Sequence, residues 1–243
     1  MPALAWLTAR PLAHRGVHGD GVIENTASAF AAAIAAGYGM ETDLQVSADG
    51  EAMVHHDEAL GRLTGGSGRL AELSAAAIKQ ARFKATSDRI LTLGELCDLV
   101  AGRATLLIEL KSRFDGDDRL LRRAAAVLAG YQGPAAVMSF DPGLMERART
   151  IAPALTRGIV AQRHFEDSPA LPKAHARSMA HLLHVPRTRP QFVAYRVQDL
   201  PTLSTTMLRL AGLPLLTWTV RTEDDRRRAA AYADQIIFEG WRP

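Results

Sequence analysis

The feature that most constrains this 243-residue chain is its rhythm. Eight short, β-rich apolar runs alternate with longer helical patterns almost from end to end. The runs fall at residues 11–16, 40–46, 105–111, 135–140, 156–162, 192–197, 214–220 and 235–238. Helical patterns follow at 25–36, 118–129, 141–151, 200–210 and 222–232. A strand, a crossover helix and a second parallel strand form a right-handed unit, and eight such units close into a barrel. The fold predicted is therefore a TIM-type (β/α)8 barrel. Such barrels typically need about 250 residues, so a single domain over residues 1–243 accounts for the whole chain. The helix starts agree with this division. Asn25 or Thr26 can cap the first helix and Gly37 can end it, while Asp141-Pro142 combines a capping side chain with proline at the first helical position.

Two stretches break the rhythm. Between the second and third runs, residues 47–90 exceed what a crossover helix needs, and they read as a small insertion. It opens with a turn at Ser47-Ala48-Asp49-Gly50-Glu51 and a second short strand at Ala52-Met53-Val54-His55-His56. Residues 163–191 carry several prolines and histidines and match no element pattern.

Composition narrows the function classes. A hydrophobic share of 47% beside 23% charged residues suits a soluble globular chain with a substantial core. The net charge of +3 is small and dispersed, and no basic stripe is interleaved with aromatics, so a nucleic-acid partner is not expected. Arg226-Arg227-Arg228 follows Glu223-Asp224-Asp225, which reads as a solvated helix face with acids in its first turn. The lone cysteine, Cys97, sits in an amphipathic pattern and reads as a buried structural thiol. The first ten residues show no signal-peptide pattern, and the Ala-rich run 27–40 is shorter than the roughly 20 residues a membrane span requires. No stable membrane insertion and a cytoplasmic location are expected; the oligomeric state is not legible.

Functional groups in such barrels lie at the C-terminal ends of the strands. There the first run carries His14, Arg15 and Gly16, the second Glu41 and Asp43, the third Glu109 and Lys111. Spacing of i, i+2 puts Glu41 with Asp43, and Glu109 with Lys111, on one face of each strand. Any one of these could be a buried ion pair or a strand-end residue in water. Three carboxylates together make an oxygen-ligand set suited to Mg2+ or Ca2+. His56, at the end of the extra strand, would join His14 at the same mouth, where two imidazoles can divide general acid and general base roles. His55 should point the other way. Arg15 and Lys111 either neutralise the carboxylates or hold a phosphate. His164, His175, His181 and His184 lack the spacing of a tight zinc motif, and no Gly-x-Ser-x-Gly elbow is present.

Together these residues resemble the glycerophosphodiester phosphodiesterase family. The likeness runs through Ala13-His14-Arg15-Gly16, Glu24-Asn25-Thr26 with Phe30, Glu41-Thr42-Asp43, Asp49-Gly50, His56-Asp57, Leu60, Arg62, Thr64, Glu109-Leu110-Lys111 and Trp218-Thr219-Val220. The resemblance implies that Glu41, Asp43 and Glu109 bind one divalent cation and that His14 and His56 are the acid–base pair. It further implies that Arg15 and Lys111 contact the phosphate of a small glycerophosphodiester, and that an adjacent glycerol hydroxyl attacks phosphorus, releasing the alcohol and leaving a cyclic phosphate for hydrolysis. The products would be glycerol 3-phosphate and an alcohol. Trp218 packs either on the substrate or in the core. Two departures stand out. Asn commonly follows the Trp-Thr-Val triplet, where this chain has Arg221. Thr-Asp commonly precedes a C-terminal proline, where this chain has Phe238-Glu239. The alternatives are a lysophospholipase D-like enzyme acting on bulkier lipids and a catalytically silent phosphodiester-binding barrel.

Overall fold

The computed structural model describes residues 4–163 and 172–243. Nine strands run through them: β1 (Leu12–His14), β2 (Gly39–Val46), β3 (Ala52–Val54), β4 (Leu106–Leu110), β5 (Ala135–Ser139), β6 (Thr156–Ala161), β7 (Phe192–Arg196), β8 (Leu215–Val220) and β9 (Gln235–Phe238). The helices are α1 (Ala5–Thr8), α2 (Ala27–Ala35), α3 (Ala75–Gln80), α4 (Leu93–Val100), α5 (Arg119–Leu128), α6 (Pro142–Ile151), α7 (Lys173–Ala180), α8 (Val185–Thr188), α9 (Leu203–Leu210) and α10 (Glu223–Tyr232). Hydrogen bonds link the strands in the order β1-β9-β8-β7-β6-β5-β4-β2, and β1 pairs back onto β2. Eight parallel strands thus close into the expected barrel. β3 lies outside it, antiparallel to the mouth end of β2 with Leu44 opposite Val54 and Val46 opposite Ala52.

Period-two alternation divides the strands between two environments. Outward-facing residues such as Met40, Leu44, Leu106, Ile108, Leu110, Val137 and Val193 pack with the helix layer. Leu12, Leu107, Ala136, Met138, Val160, Phe192, Ala194, Leu216 and Ile237 form a second cluster that fills the barrel, joined from below by Leu7 of α1. Gly158 belongs to this filling. A Cβ there would lie 2.3 Å from the Phe192 ring, so only glycine leaves room for that side chain. Along the same inward faces the chemistry changes from floor to mouth. Leu12 gives way to His14, Leu107 to Glu109 and Lys111, Leu216 to Trp218, and Ile237 to Glu239. The barrel therefore has an apolar floor and a charged rim.

Helix starts follow the capping chemistry. Thr26, rather than Asn25, caps α2 by accepting from the Ala29 N–H, and Asp141 caps α6 through Gly143. The run expected at 11–16 ends as strand at His14, because Arg15 and Gly16 take φ of 57° and 80°. The helix expected from residue 200 begins at Leu203, where Pro201 precedes a capping box of Thr202 and Thr205. Within 47–90 the regular elements are β3, a single 3-10 turn at Leu70–Glu72 and α3. α7 and α8 occupy part of the unplaced stretch 163–191; His164 lies outside the described residues. Among the described residues, no helix is long and apolar enough to cross a membrane.

Candidate active site

The site forms where inward-facing polar residues arrive at the ends of β1, β2 and β4. Parallel register places His14 level with Glu41 and Asp43 level with Glu109. The turn after β1 sets the next group. Gly16 lacks room for any side chain, since a Cβ would approach Ala29 to 2.8 Å, and its positive φ is one that glycine adopts at no cost. Arg15 is thereby held over the cluster, its carbonyl accepting from the Asn25 N–H at 2.9 Å.

Glu41, Asp43 and Glu109 are all buried, and each offers a carboxylate oxygen within 4.8 Å of the others. Two cations share the cluster. Lys111 Nζ lies 2.8 Å from Asp43 and 2.6 Å from Glu109, and Arg15 Nε lies 3.1 Å from Asp43. Asn25 Nδ2 donates to Asp43 at 2.9 Å while its Oδ1 accepts from Thr42. Burial opposes ionisation of Asp43, but Lys111 and Arg15 outweigh it and hold the carboxyl below its ordinary range. Glu41 is different. Burial, with the charges of Asp43 and Glu109, pushes its carboxyl well above the usual range, and Arg15 and Lys111 only moderate this. Its polar contacts are the Arg15 N–H at 3.2 Å and His14 Nε2 at 3.9 Å. Three carboxylates against two cations leave one negative charge buried without a counterpart. A divalent cation in the cluster would reverse the sign to one net positive charge, which matches a phosphodiester monoanion. The donor set, all hard oxygens, fits Mg2+ or Ca2+.

His14 and His56 flank the cluster. His14 Nδ1 is 2.5 Å from Glu239 Oε2, which turns Nε2 toward Glu41. Burial lowers its pKa, opposed by the Glu239 hydrogen bond. His56 Nδ1 is 2.8 Å from Asp57 Oδ1. Asp57 in turn meets Arg62 at 2.5 Å, Arg62 meets Glu24 at 2.6 Å, and Glu24 meets Arg15 at 2.8 Å. Alternating charges thus connect His56 to the carboxylate cluster around the rim. Burial alone would raise the Asp57 carboxyl, but Arg62 and His56 bring it down to about 2.

His14, Arg15, Glu41, His56, Glu109, Lys111 and Trp218 line one cavity of about 200 Å³, with Asp43 buried among them. Trp218 has both placements open to it in the sequence: its Nε1–H donates to the Ala194 carbonyl at 3.1 Å, its ring meets Phe140 edge-on, and it still borders the cavity. His56 and Lys111 also border a second space of about 390 Å³, walled by polar groups that include Asp57, Asp115 and Asp117 and by Val46, Ala71 and Leu120.

The chain as a whole has counterparts among known proteins. The sequence pattern of the Glycerophosphoryl diester phosphodiesterase family matches residues 14–238. The chain belongs to that family. It is a phosphodiesterase, an enzyme of the hydrolase class. A curated glycerophosphodiester phosphodiesterase from Caldanaerobacter subterraneus subsp. tengcongensis is 29% identical over 240 residues, covering 94% of this chain and 93% of that protein. Among solved structures, an Oleispira antarctica phosphodiesterase in complex with the product sn-glycerol-3-phosphate superposes with a TM-score of 0.80 at 21% identity, covering 96% of this chain and 94% of that one. The glycerophosphodiester phosphodiesterase of Thermotoga maritima gives 0.73 at 24% identity, with 93% and 92% covered.

Several neighbours of the site carried no role in the sequence reading. Glu24, Asp57 and Arg62 are joined into one rim only by the fold. Arg221 and Glu239, read as two separate departures, form a bidentate ion pair at 2.8 and 3.1 Å. His18 lies close enough to His14 and Glu239 to make a second possible ligand group, yet the Arg221 guanidinium on both Glu239 oxygens repels a cation there. His55 faces away from the cavity, buried, with Nδ1 accepting from the Asp57 N–H. Cys97 is buried and its thiol is pushed up to about 11 by burial, as suits a structural residue.

Proposed function

We propose that this chain hydrolyses glycerophosphodiesters to sn-glycerol 3-phosphate and an alcohol, using one divalent cation, Mg2+ or Ca2+, held by Glu41, Asp43 and Glu109. The observation that carries this reading is the convergence of three buried carboxylates, two cationic side chains and two histidines on one small cavity. When bound, the cation polarises the phosphoryl oxygens and stabilises the charge that builds on them. Arg15 and Lys111 supply further positive charge at the same place and orient the phosphate, Arg15 through its planar fork and Lys111 as a point charge. One histidine accepts the proton of the attacking glycerol hydroxyl while the other gives a proton to the leaving alkoxide oxygen, which leaves a cyclic phosphate; water then opens that ring with the two proton transfers reversed, giving glycerol 3-phosphate. Trp218, fixed by its hydrogen bond to Ala194, offers a flat apolar wall to the glycerol or head group. The adjoining space carries Asp57, Glu58, Arg113, Asp115 and Asp117 beside Val46, Ala71 and Leu120, so its charged groups can meet the polar head group of a glycerophosphodiester. The relatives' names and the product held by the Oleispira protein point the same way.

The test is a coupled assay for glycerol 3-phosphate across several glycerophosphodiesters and lysophospholipids, with Mg2+, Ca2+ or a chelator. Release of glycerol 3-phosphate that needs added cation is expected. Full activity in chelator would refute the cation-centred reading, and a preference for lysophospholipids would refute the substrate class.

A further inference from the structure

The His14 ring could rotate about its side-chain bonds and present either nitrogen to the cavity. Only one arrangement is useful for receiving a proton: hydrogen on Nδ1, turned away, with a bare Nε2 facing the reacting atoms. The structure supplies a device that selects it. Glu239, at the end of β9, places Oε2 at 2.5 Å from His14 Nδ1. A carboxylate only accepts, so Nδ1 must be the protonated nitrogen and Nε2 is left toward Glu41.

Glu239 is itself immobilised. Its backbone N–H donates to the Val220 carbonyl at 3.1 Å, which ties the end of β9 to β8. Its two carboxylate oxygens are taken by Arg221 Nε at 3.1 Å and Nη2 at 2.8 Å. Arg221 is anchored by its own N–H to Asp225 Oδ2 at 3.1 Å, and Asp225 also accepts from the Thr222 N–H in the capping box of α10. The bidentate fork fixes the plane of the carboxylate as well as its distance. The guanidinium offsets the charge of Glu239, which would otherwise add to three buried carboxylates nearby.

We propose that Glu239, clamped by Arg221, is the positioning residue for His14: it fixes the ring's orientation and its Nδ1–H tautomer for proton transfer at Nε2. This rests on the acid–base role given to His14 above. Glu239 needs no contact with substrate to act in this way, and the two departures from the family pattern become one functional unit.

The experiment compares Glu239→Gln, Arg221→Ala, Arg221→Lys, His14→Ala and the double variant His14→Ala/Glu239→Gln, each with its melting temperature. Steady-state kinetics with glycerophosphocholine and imidazole nitrogen NMR shifts of His14 are the readouts. Glutamine can offer either its amide oxygen or its NH2 to Nδ1, so it no longer selects a tautomer. Expected for Glu239→Gln is a fall in kcat of about 10- to 100-fold, below the roughly 10²–10⁴-fold ceiling of a complete acid–base contribution. KM should stay within about threefold, and the His14 shifts should move toward a tautomer mixture. Arg221→Ala should lose less, and Arg221→Lys should recover part of that loss. The double variant should be no slower than His14→Ala alone. An unchanged kcat and unchanged His14 shifts in Glu239→Gln would overturn the proposal. So would a loss confined to KM, or one that adds in full to that of His14→Ala. Wild-type activity in His14→Ala would sink the underlying assignment of His14, a result separable from failure of Glu239→Gln alone.

Discussion

Glu41→Gln should make the cation-free protein more stable while abolishing its chemistry. The other two carboxylates of the cluster have Lys111 between them, whereas Glu41 has only the Arg15 N–H and the flank of His14. Like charges at 4.8 Å, the outer limit for these oxygens, repel by about 3.5 kcal/mol at an effective dielectric near 20. Glu41 meets two of these repulsions, from Asp43 and Glu109, and Arg15 and Lys111 cancel most of the sum. A net relief of about 2 kcal/mol remains for a neutral isostere, or an increase of about 4–8 °C in melting temperature for a chain of this size. The sign with pH follows from the raised carboxyl of Glu41. Below its unfolded value of 4.5 both states hold the proton and wild type and variant agree. Above it the unfolded chain releases the proton first, so wild type loses stability relative to the variant until the folded group also ionises. Cation reverses the ranking: at a hundredfold excess over Kd it should stabilise wild type by about 2.7 kcal/mol and the variant hardly at all. Scanning calorimetry in chelator and in Mg2+ or Ca2+, from pH 4.5 to 8, reads all of this. A variant that melts below wild type in chelator, or keeps the full cation-induced shift, would refute the argument.

Other outcomes follow from the same geometry. His14→Ala and His56→Ala should each lower kcat by about 10²–10⁴-fold with melting temperature nearly unchanged, checked in the glycerol 3-phosphate assay. Gly158→Ala should destabilise by about 1–3 kcal/mol, since its Cβ meets the Phe192 ring at 2.3 Å; urea unfolding measures it. His184 is buried and its pKa is lowered to about 4, chiefly by burial. The folded state resists protonation that the unfolded chain accepts near 6.5, so about 3 kcal/mol of stability is lost as pH falls from 6.5 toward 4. His184→Leu should flatten that part of the pH–stability curve, and an unaltered curve would remove His184 as its cause.

Much of this was legible in the sequence because barrel strands announce their ends. Glu41, Asp43, Glu109 and Lys111 are ionisable groups closing apolar runs, a pattern that burial makes costly unless function requires it. Helix starts were legible where the capping side chain was local, as at Asp141; at residues 25–26 two candidates stood open, and the fold decides for Thr26 because the Asn25 side chain is diverted to Asp43. The pairing of His14 with Glu239 and Arg221 was not legible. It joins residues more than 200 positions apart, and only strand closure, a non-local property, brings them together. Residues 163–191 resisted reading because α7 and α8 are short, and the cap positions Pro172 and His184 make no side-chain cap.

β1 closes the barrel against β9, with Leu12 beside Ile237 and Ala13 beside Phe238. The seam therefore depends on residues more than 200 positions apart. Disrupting β9 would open that seam and withdraw Glu239 from His14 together, while Glu41, Asp43, Glu109 and Lys111 stay paired on their own strands. Closure of the ring and the setting of His14 are thus coupled through one pair of neighbouring strands.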